Sequence, residues 1–68
     1  MNEWQQRVIE EKAELDAKLE KLAAFLKAEP FKTLPIEDCS LLSNQRRVMT
    51  EYSEILRQRI ERFNLGDS

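Results

Sequence analysis

Histidine is absent from this 68-residue sequence, and cysteine occurs once, as Cys39. Without histidine, the chain alone has no Ser-His-Asp triad and no His base for a hydroxyl nucleophile. A single cysteine is too few for a disulfide framework, and the two shortages together exclude the common zinc-ligand sets. The sequence therefore predicts a chain that is not an enzyme and that holds neither a metal nor a cofactor.

Turn-forming residues are also scarce, with one Gly and two Pro in the whole chain. An all-β fold needs many more of them, because each hairpin requires its own turn. Charged residues make up 35% and hydrophobic residues 41%, a balance typical of a soluble helical protein. The length predicts one domain over residues 1–68 with a thin hydrophobic core.

Long apolar runs and a strong excess of basic charge are both missing. No stretch approaches the ~18 apolar residues of a membrane span, and the polar N-terminus does not resemble a signal peptide. The net charge is -2, whereas a DNA-binding domain typically has a pI above ~9. We expect no membrane association and no direct DNA binding. The lone Cys39 fits a reducing compartment and predicts a cytoplasmic protein.

Apolar residues at helical spacing predict a first helix over residues 2–28. Its stripe consists of Val8, Leu15, Leu19, Leu22 and Leu26. Lys12 occupies the one skipped position, where it either extends outward to water or specifies the register of packing.

A break marked by two prolines is predicted over residues 29–35. Pro30 cannot continue a helix, whereas Pro35 suits the first turn of a new one. We expect Phe31, Leu34 and Ile36 to turn inward and to plug the closed end of a hairpin. The alternative is a loose loop that leaves these three side chains exposed.

A second helix is predicted over residues 36–63, followed by a frayed tail over 64–68. Gly66 is expected to end it in a left-handed C-cap conformation. One seam comprises Leu42, Met49, Tyr52, Leu56 and Phe63, and a neighbouring row comprises Leu41, Val48 and Ile55. The two rows together form an apolar face that is broader than a two-helix seam.

Two long helices joined by a short connection predict an all-α fold, an antiparallel helical hairpin. A lone hairpin leaves part of the broad second face in water, and small domains commonly gain stability by oligomerisation. We therefore expect a homo-oligomer, most simply a dimer that forms a four-helix bundle, with a larger ring as the open alternative. The predicted oligomer interface consists of Leu41, Val48, Met49, Tyr52, Ile55 and Leu56.

The basic residues are distributed unevenly, because all five that follow Pro35 are arginines. The arginine guanidinium is a planar fork suited to phosphate and carboxylate groups. One hypothesis is an anion-binding cleft between protomers, lined by Gln45, Arg46, Tyr52 and Arg59. The alternative is that Arg46, Arg47 and Arg59 pair with nearby carboxylates at the rim of the helices.

A resemblance to a known family extends from Trp4 to Phe63. It rests on the run Trp4-Gln5-Gln6-Arg7-Val8, on Glu10-Glu11-Lys12, and on the pattern Met49-x-x-Tyr52-Ser53-x-x-Leu56-x-x-Arg59-Ile60. In these residues the chain resembles a family of small phage and prophage helical-hairpin proteins that carry a domain labelled after crAss-like phages. Pro35 departs from this family, whose members tend to place a Ser cap near the second helix.

The resemblance implies a viral accessory protein in the cytoplasm of a bacterial host, without implying an established activity. With the predicted architecture, it favours a protein that counters host defence by binding. One candidate ligand is a cyclic nucleotide immune signal held between protomers. The alternative is a protein–protein inhibitor or adaptor that presents a helical face to a host protein, and a third hypothesis is a purely structural accessory.

Overall fold

Two helices account for most of the residues that the structure describes. A computed structural model describes residues 2–28 and 32–66, with helix α1 over Glu3–Leu26 and helix α2 over Ile36–Gly66. The helices pack antiparallel into a hairpin 50 Å long and 14 Å across. The prediction of an all-helical hairpin is confirmed.

Helix α1 begins where the sequence places a capping residue and ends slightly early. The Asn2 N–H donates to Gln5 Oε1 at 3.1 Å, and the Asn2 carbonyl accepts from the Gln6 N–H at 3.0 Å. At the other end, the Lys27 N–H bonds to the Ala24 carbonyl at 3.2 Å. This bond to the third preceding residue closes a tighter turn, so the helix ends at Leu26 rather than at the predicted residue 28.

Helix α2 begins as predicted but continues beyond its predicted end. The Pro35 carbonyl accepts the Cys39 N–H at 3.1 Å, and Glu37 and Asp38 lie in the first turn, where the helix dipole favours negative charge. The helix includes residues 64–66, which were predicted to be frayed. The left-handed cap predicted at Gly66 is wrong, because no described residue has a positive φ. Residues 67 and 68 of the predicted tail lie outside the described part.

The connection is only partly described, since residues 29–31 of the predicted break, including Phe31, lie outside the described residues. Leu34 is half-buried, in agreement with an inward orientation. Ile36 is 72% exposed, so its predicted inward orientation is wrong. Each residue advances about 100° around a helix, which places Ile36 about 120° from half-buried Leu42.

The hairpin core is thin, as the short length predicts. Among the described residues, Val8 of α1 and Leu56 of α2 form the buried hydrophobic core. We call the surface of α2 that faces α1 the inner stripe; it comprises Leu42, Met49, Ser53, Leu56, Ile60 and Phe63, all buried or half-buried. At the open end, Trp4 and Phe63 form an edge-to-face pair with ring centroids 5.1 Å apart, yet Trp4 stays half exposed.

Candidate ligand-binding site

A second stripe runs along α2, one residue out of phase with the inner stripe. We call it the outer stripe; it comprises Leu41, Gln45, Val48, Tyr52, Ile55 and Arg59, all of them exposed. Leu41 is 67%, Val48 52% and Ile55 54% exposed. The chain's own first helix therefore leaves these apolar side chains in water.

Tyr52 is the one outer-stripe residue tied to α1 by a hydrogen bond among the described residues. Its hydroxyl donates to a carboxylate oxygen of Glu11. The bond fixes the orientation of a ring that remains 42% exposed. A fixed, accessible aromatic ring is the kind of group on which a nucleobase stacks.

Gln45 and Arg59 are the polar members of the outer stripe. The Gln45 amide contacts the Met49 sulfur at 3.7 Å, a weak acceptor that leaves most of the amide's bonding capacity unused. Arg59 forms no salt bridge within the described part of the chain. Both side chains are therefore available to an external polar group.

Arg46 lies in a different place, in an open surface groove of about 410 Å³. The groove is lined by Ser43, Arg46, Arg47, Thr50 and Glu51. Adjacent positions differ by about 100° around the helix, and the groove lies on the flank of the inner stripe that is opposite the outer stripe. Within one hairpin, the structure thus brings Gln45, Tyr52 and Arg59 onto one face and does not bring Arg46 to them.

The alternative prediction, that these arginines pair with carboxylates at the rim of the helices, holds for Arg47 but not for Arg46 among the described residues. Arg47 Nη1 lies 3.3 Å from Glu51 Oε2, and both side chains are mostly exposed. Such exposed pairs contribute about 0–1 kcal/mol. Arg46 has no salt-bridge partner in the residues that the structure describes, although its carbonyl accepts the Thr50 hydroxyl at 2.8 Å.

Arg57 is the arginine most fully engaged with acids. It forms ion pairs with Glu54 and Glu61 of the same helix. The hydrogen bond from Arg57, and to a smaller extent the one from Gln58, lowers the pKa of Glu54 to about 2. Glu54 in turn raises the pKa of Arg57. This engagement makes Arg57 a poor candidate for ligand binding and a useful control.

A polar cluster crosses the hairpin near its middle, and we call it the polar bridge. Lys12 Nζ donates to Asp16 Oδ2 at 2.6 Å and to Ser53 Oγ at 3.2 Å, and Ser53 Oγ donates to Asp16 Oδ1 at 2.6 Å. The hydrogen bond from Lys12, and to a smaller extent the one from Ser53, holds the pKa of Asp16 below its usual value. Lys12 thus does not extend freely into water but fixes the pairing of α1 with α2.

The described residues contain neither a cluster of metal ligands nor a helix that could cross a membrane. In residues 2–28 and 32–66, no three His, Cys, Asp or Glu side chains come together as metal ligands would. Neither helix, within the same residues, contains an apolar stretch that is long enough to cross a bilayer.

Comparison with protein families identifies a relationship that covers most of the chain. The model of the Sequestin family matches residues 2–62. The chain belongs to the Sequestin family. Searches among curated proteins and among solved structures give no match. The Sequestin match includes the outer stripe, the polar bridge and the inner stripe as far as Ile60, so these features lie within the family's domain.

The predicted interface residues of this Sequestin chain divide between the two stripes. Leu41, Val48, Tyr52 and Ile55 lie on the exposed outer stripe, whereas Leu56 is fully buried inside the hairpin and Met49 is half-buried. Including Leu56 in a surface between protomers was therefore wrong, since its side chain is already covered. The other five residues, including half-buried Met49, stay a prediction.

Sequence reasoning missed Asp16 and Ser53 as members of the polar bridge. A signal was present, because Lys12 interrupts the apolar stripe of α1 and Ser53 interrupts that of α2. A polar side chain on an apolar stripe requires a partner. Finding that partner requires the register between the helices, which spacing within one helix does not give.

Proposed function

We propose that this chain acts by binding, without catalysis, and sequesters an anionic ligand between protomers. The family name denotes sequestration, which supports a binding role. The observation that carries the proposal is that Arg46 and Arg59 have no acidic partner in the described residues, while Arg57 and Arg47 have theirs. A guanidinium without an intramolecular acid can donate its fork to a phosphate.

The ligand class that best fits these groups is a cyclic nucleotide immune signal. Such a molecule combines phosphates for Arg46 and Arg59 with bases for the exposed ring of Tyr52 and the amide of Gln45. The four side chains lie on two flanks of α2, so that one ligand contacts all of them only where different protomers meet. The resemblance to phage proteins supports a role against host defence in the bacterial cytoplasm.

The test is a thermal-shift and calorimetry screen of the full chain with cyclic di- and trinucleotides. Ligand at 100 times its dissociation constant stabilises the folded state by about 2.7 kcal/mol, which raises the melting temperature. Replacing Arg59 with Ala should weaken binding by about tenfold or more, equivalent to about 1.4 kcal/mol.

Arg57→Ala is the matched control, because Arg57 lies on the same helix but is paired with Glu54 and Glu61. It should leave nucleotide affinity nearly unchanged. Equal losses in the Arg57 and Arg59 variants would show that net charge, rather than a built site, attracts the nucleotide. Unchanged binding after Arg46→Ala, Tyr52→Ala and Arg59→Ala would reject this site.

The exposed apolar residues of the outer stripe favour a second candidate, an inhibitor or adaptor that presents this face to a host protein. Apolar patches on a small protein commonly mark interaction surfaces. If no cyclic nucleotide raises the melting temperature, and a host protein co-purifies with the wild-type chain but not with a Val48→Asp variant, the inhibitor is favoured.

A further inference from the structure

The outer stripe of α2 has the spacing of a coiled-coil seam. Its six members follow one another at intervals of four, three, four, three and four residues, from Leu41 to Arg59. This is the heptad pattern of a helix that packs along a second helix. We infer that a second copy of this chain covers the outer stripe, and that the two α2 helices run antiparallel. The inference deepens the proposed self-association and rests on it.

Charge decides the direction of the second helix. In a parallel, in-register pair, each residue faces its own counterpart, so Arg59 would face Arg59, Arg62 would face Arg62 and Asp38 would face Asp38. All three are exposed. Like charges directly opposite each other are destabilising, and a parallel pair would contain three such repulsions.

An antiparallel pair removes these repulsions in one particular register. In this register, the residue numbers of two facing residues add up to 100, so Asp38 of each copy faces Arg62 of the other. The Asp38–Asp38 and Arg62–Arg62 repulsions of the parallel pair are thereby replaced by two Asp38–Arg62 attractions. In the same register each apolar member of the outer stripe faces a member with a polar end: Leu41 with Arg59, Val48 with Tyr52, and Ile55 with Gln45. The arrangement has two-fold symmetry, as expected for an isologous dimer.

This register also gives Arg59 a defined environment. Its aliphatic stem packs over Leu41 of the second copy, while the guanidinium extends to the edge of the contact, as long basic side chains do. The guanidinium of each copy then lies beside the other copy rather than beside its own α1. A ligand bound by Arg59 would therefore contact both chains at the edge of the outer stripe. Because Arg46 lies on the opposite flank of α2, a ligand that also contacts Arg46 would need a further protomer.

Disulfide cross-linking of the full chain, without any nucleotide, tests the direction and register. All variants carry Cys39→Ser, which removes the natural thiol and keeps a hydroxyl donor for the Leu34 carbonyl. One chain then carries Leu41→Cys and another Arg59→Cys, both at exposed positions. In the proposed register, position 41 lies opposite position 59, whereas two copies of position 41 lie about 27 Å apart along the axis, beyond disulfide reach.

The expected result is a cross-linked dimer in the equimolar mixture under mild oxidation, and at least about tenfold less in either variant alone. The control is a matched mixture of Ser43→Cys with Arg57→Cys. These two positions are at the same level in the proposed register, since their residue numbers also add up to 100, but they lie on the opposite flank of α2. This control mixture should stay uncross-linked.

Efficient cross-linking of Leu41→Cys alone would overturn the antiparallel register while retaining contact through this face. Light scattering of the reduced variants separates the other outcomes. A dimer that gives no cross-link in the mixture would overturn the assignment of the outer stripe as the interface. A monomer would overturn both the register and the self-association on which it rests, whereas loss of nucleotide binding alone would leave the register intact.

Discussion

The inner and outer stripes of α2 are neighbouring surfaces with similar spacing and different environments. Leu56 of the inner stripe is fully buried, while Ile55, its neighbour in sequence, is 54% exposed on the outer stripe. One step of about 100° around the helix separates the two side chains. The comparison teaches that α1 covers the inner stripe of α2 and leaves the outer stripe uncovered. Folding of the single chain therefore buries only one of the two apolar stripes.

The largest expected effect is on the free energy of unfolding when Leu56 or Ile55 is replaced by alanine. Leu56→Ala removes a buried side chain and should lower the free energy of unfolding by about 2–5 kcal/mol at every protein concentration. Ile55→Ala should lower it by an amount that depends on concentration, because that side chain is buried only by association. Denaturant melts at several concentrations measure the difference. Equal, concentration-independent losses would contradict the division into two stripes.

The second prediction tests the outer stripe alone. Val48→Asp should dissociate the oligomer, because a charge buried in an apolar contact costs about 3 kcal/mol or more, about a hundredfold in the dissociation constant. Sedimentation should then give the monomer mass of 8.1 kDa. Thr50→Asp, on the opposite flank, is the control and should keep the wild-type mass. An unchanged mass for the Val48 variant would exclude this face as the interface.

Sequence spacing located both stripes but assigned Tyr52 to the wrong one. Tyr52 was predicted on a seam with Leu42, Met49 and Leu56, whereas the structure places it among the exposed residues of the outer stripe. The two stripes differ by a single residue step, which spacing alone cannot resolve when both contain apolar side chains. The long-range bonds from Tyr52 to Glu11 and from Ser53 to Asp16 fix the choice, and they depend on the register between the helices.

The helix bounds were predictable where a local signal decided them. Pro35 correctly marked the start of α2, because proline is pre-organised for the first turn. Gly66 is the last residue of α2 in the described part of the chain, but it does not adopt the predicted left-handed conformation, because no described residue has a positive φ. The separation of Arg46 from the other three candidate residues follows from its position on the helix and was derivable from the sequence.

The third prediction sharpens the account of the inner stripe. Ser53→Ala removes one bond to Asp16 and one from Lys12, and should lower the free energy of unfolding by about 1 kcal/mol. Ser43→Ala, an exposed serine in the groove, should change it by less than about 0.5 kcal/mol. Thermal melts compare the two. A loss at Ser53 no greater than that at Ser43 would show that the polar bridge does not hold the helices together.

The smallest expected effect concerns acid stability. Folding lowers the pKa of Asp16 from its ordinary value of 3.8, and it lowers the pKa of Glu54 from 4.5 to about 2. Because both pKa values are lowered by folding, the stabilisation is present above the ordinary pKa values of the two carboxyl groups and is lost as pH falls toward 2. The melting temperature should therefore decrease between about pH 4.5 and pH 2.

Glu54→Gln provides the control for this pH dependence. It should make the acid-side decrease shallower, whereas Glu20→Gln, at an exposed site in α1, should leave it unchanged. Added salt should also reduce the Glu54 contribution, because its pair with Arg57 is exposed to solvent. A wild-type profile that is flat over this range would contradict the assigned ion pairs.

Sedimentation equilibrium of the wild-type chain at micromolar concentration tests the central claim most directly. If the uncovered outer stripe drives self-association, the folded chain should have a mass that is a whole multiple of 8.1 kDa, at least twice that value. A stable, cooperatively unfolding species of 8.1 kDa would contradict it, because Leu41, Val48 and Ile55 would then be exposed in the functional protein.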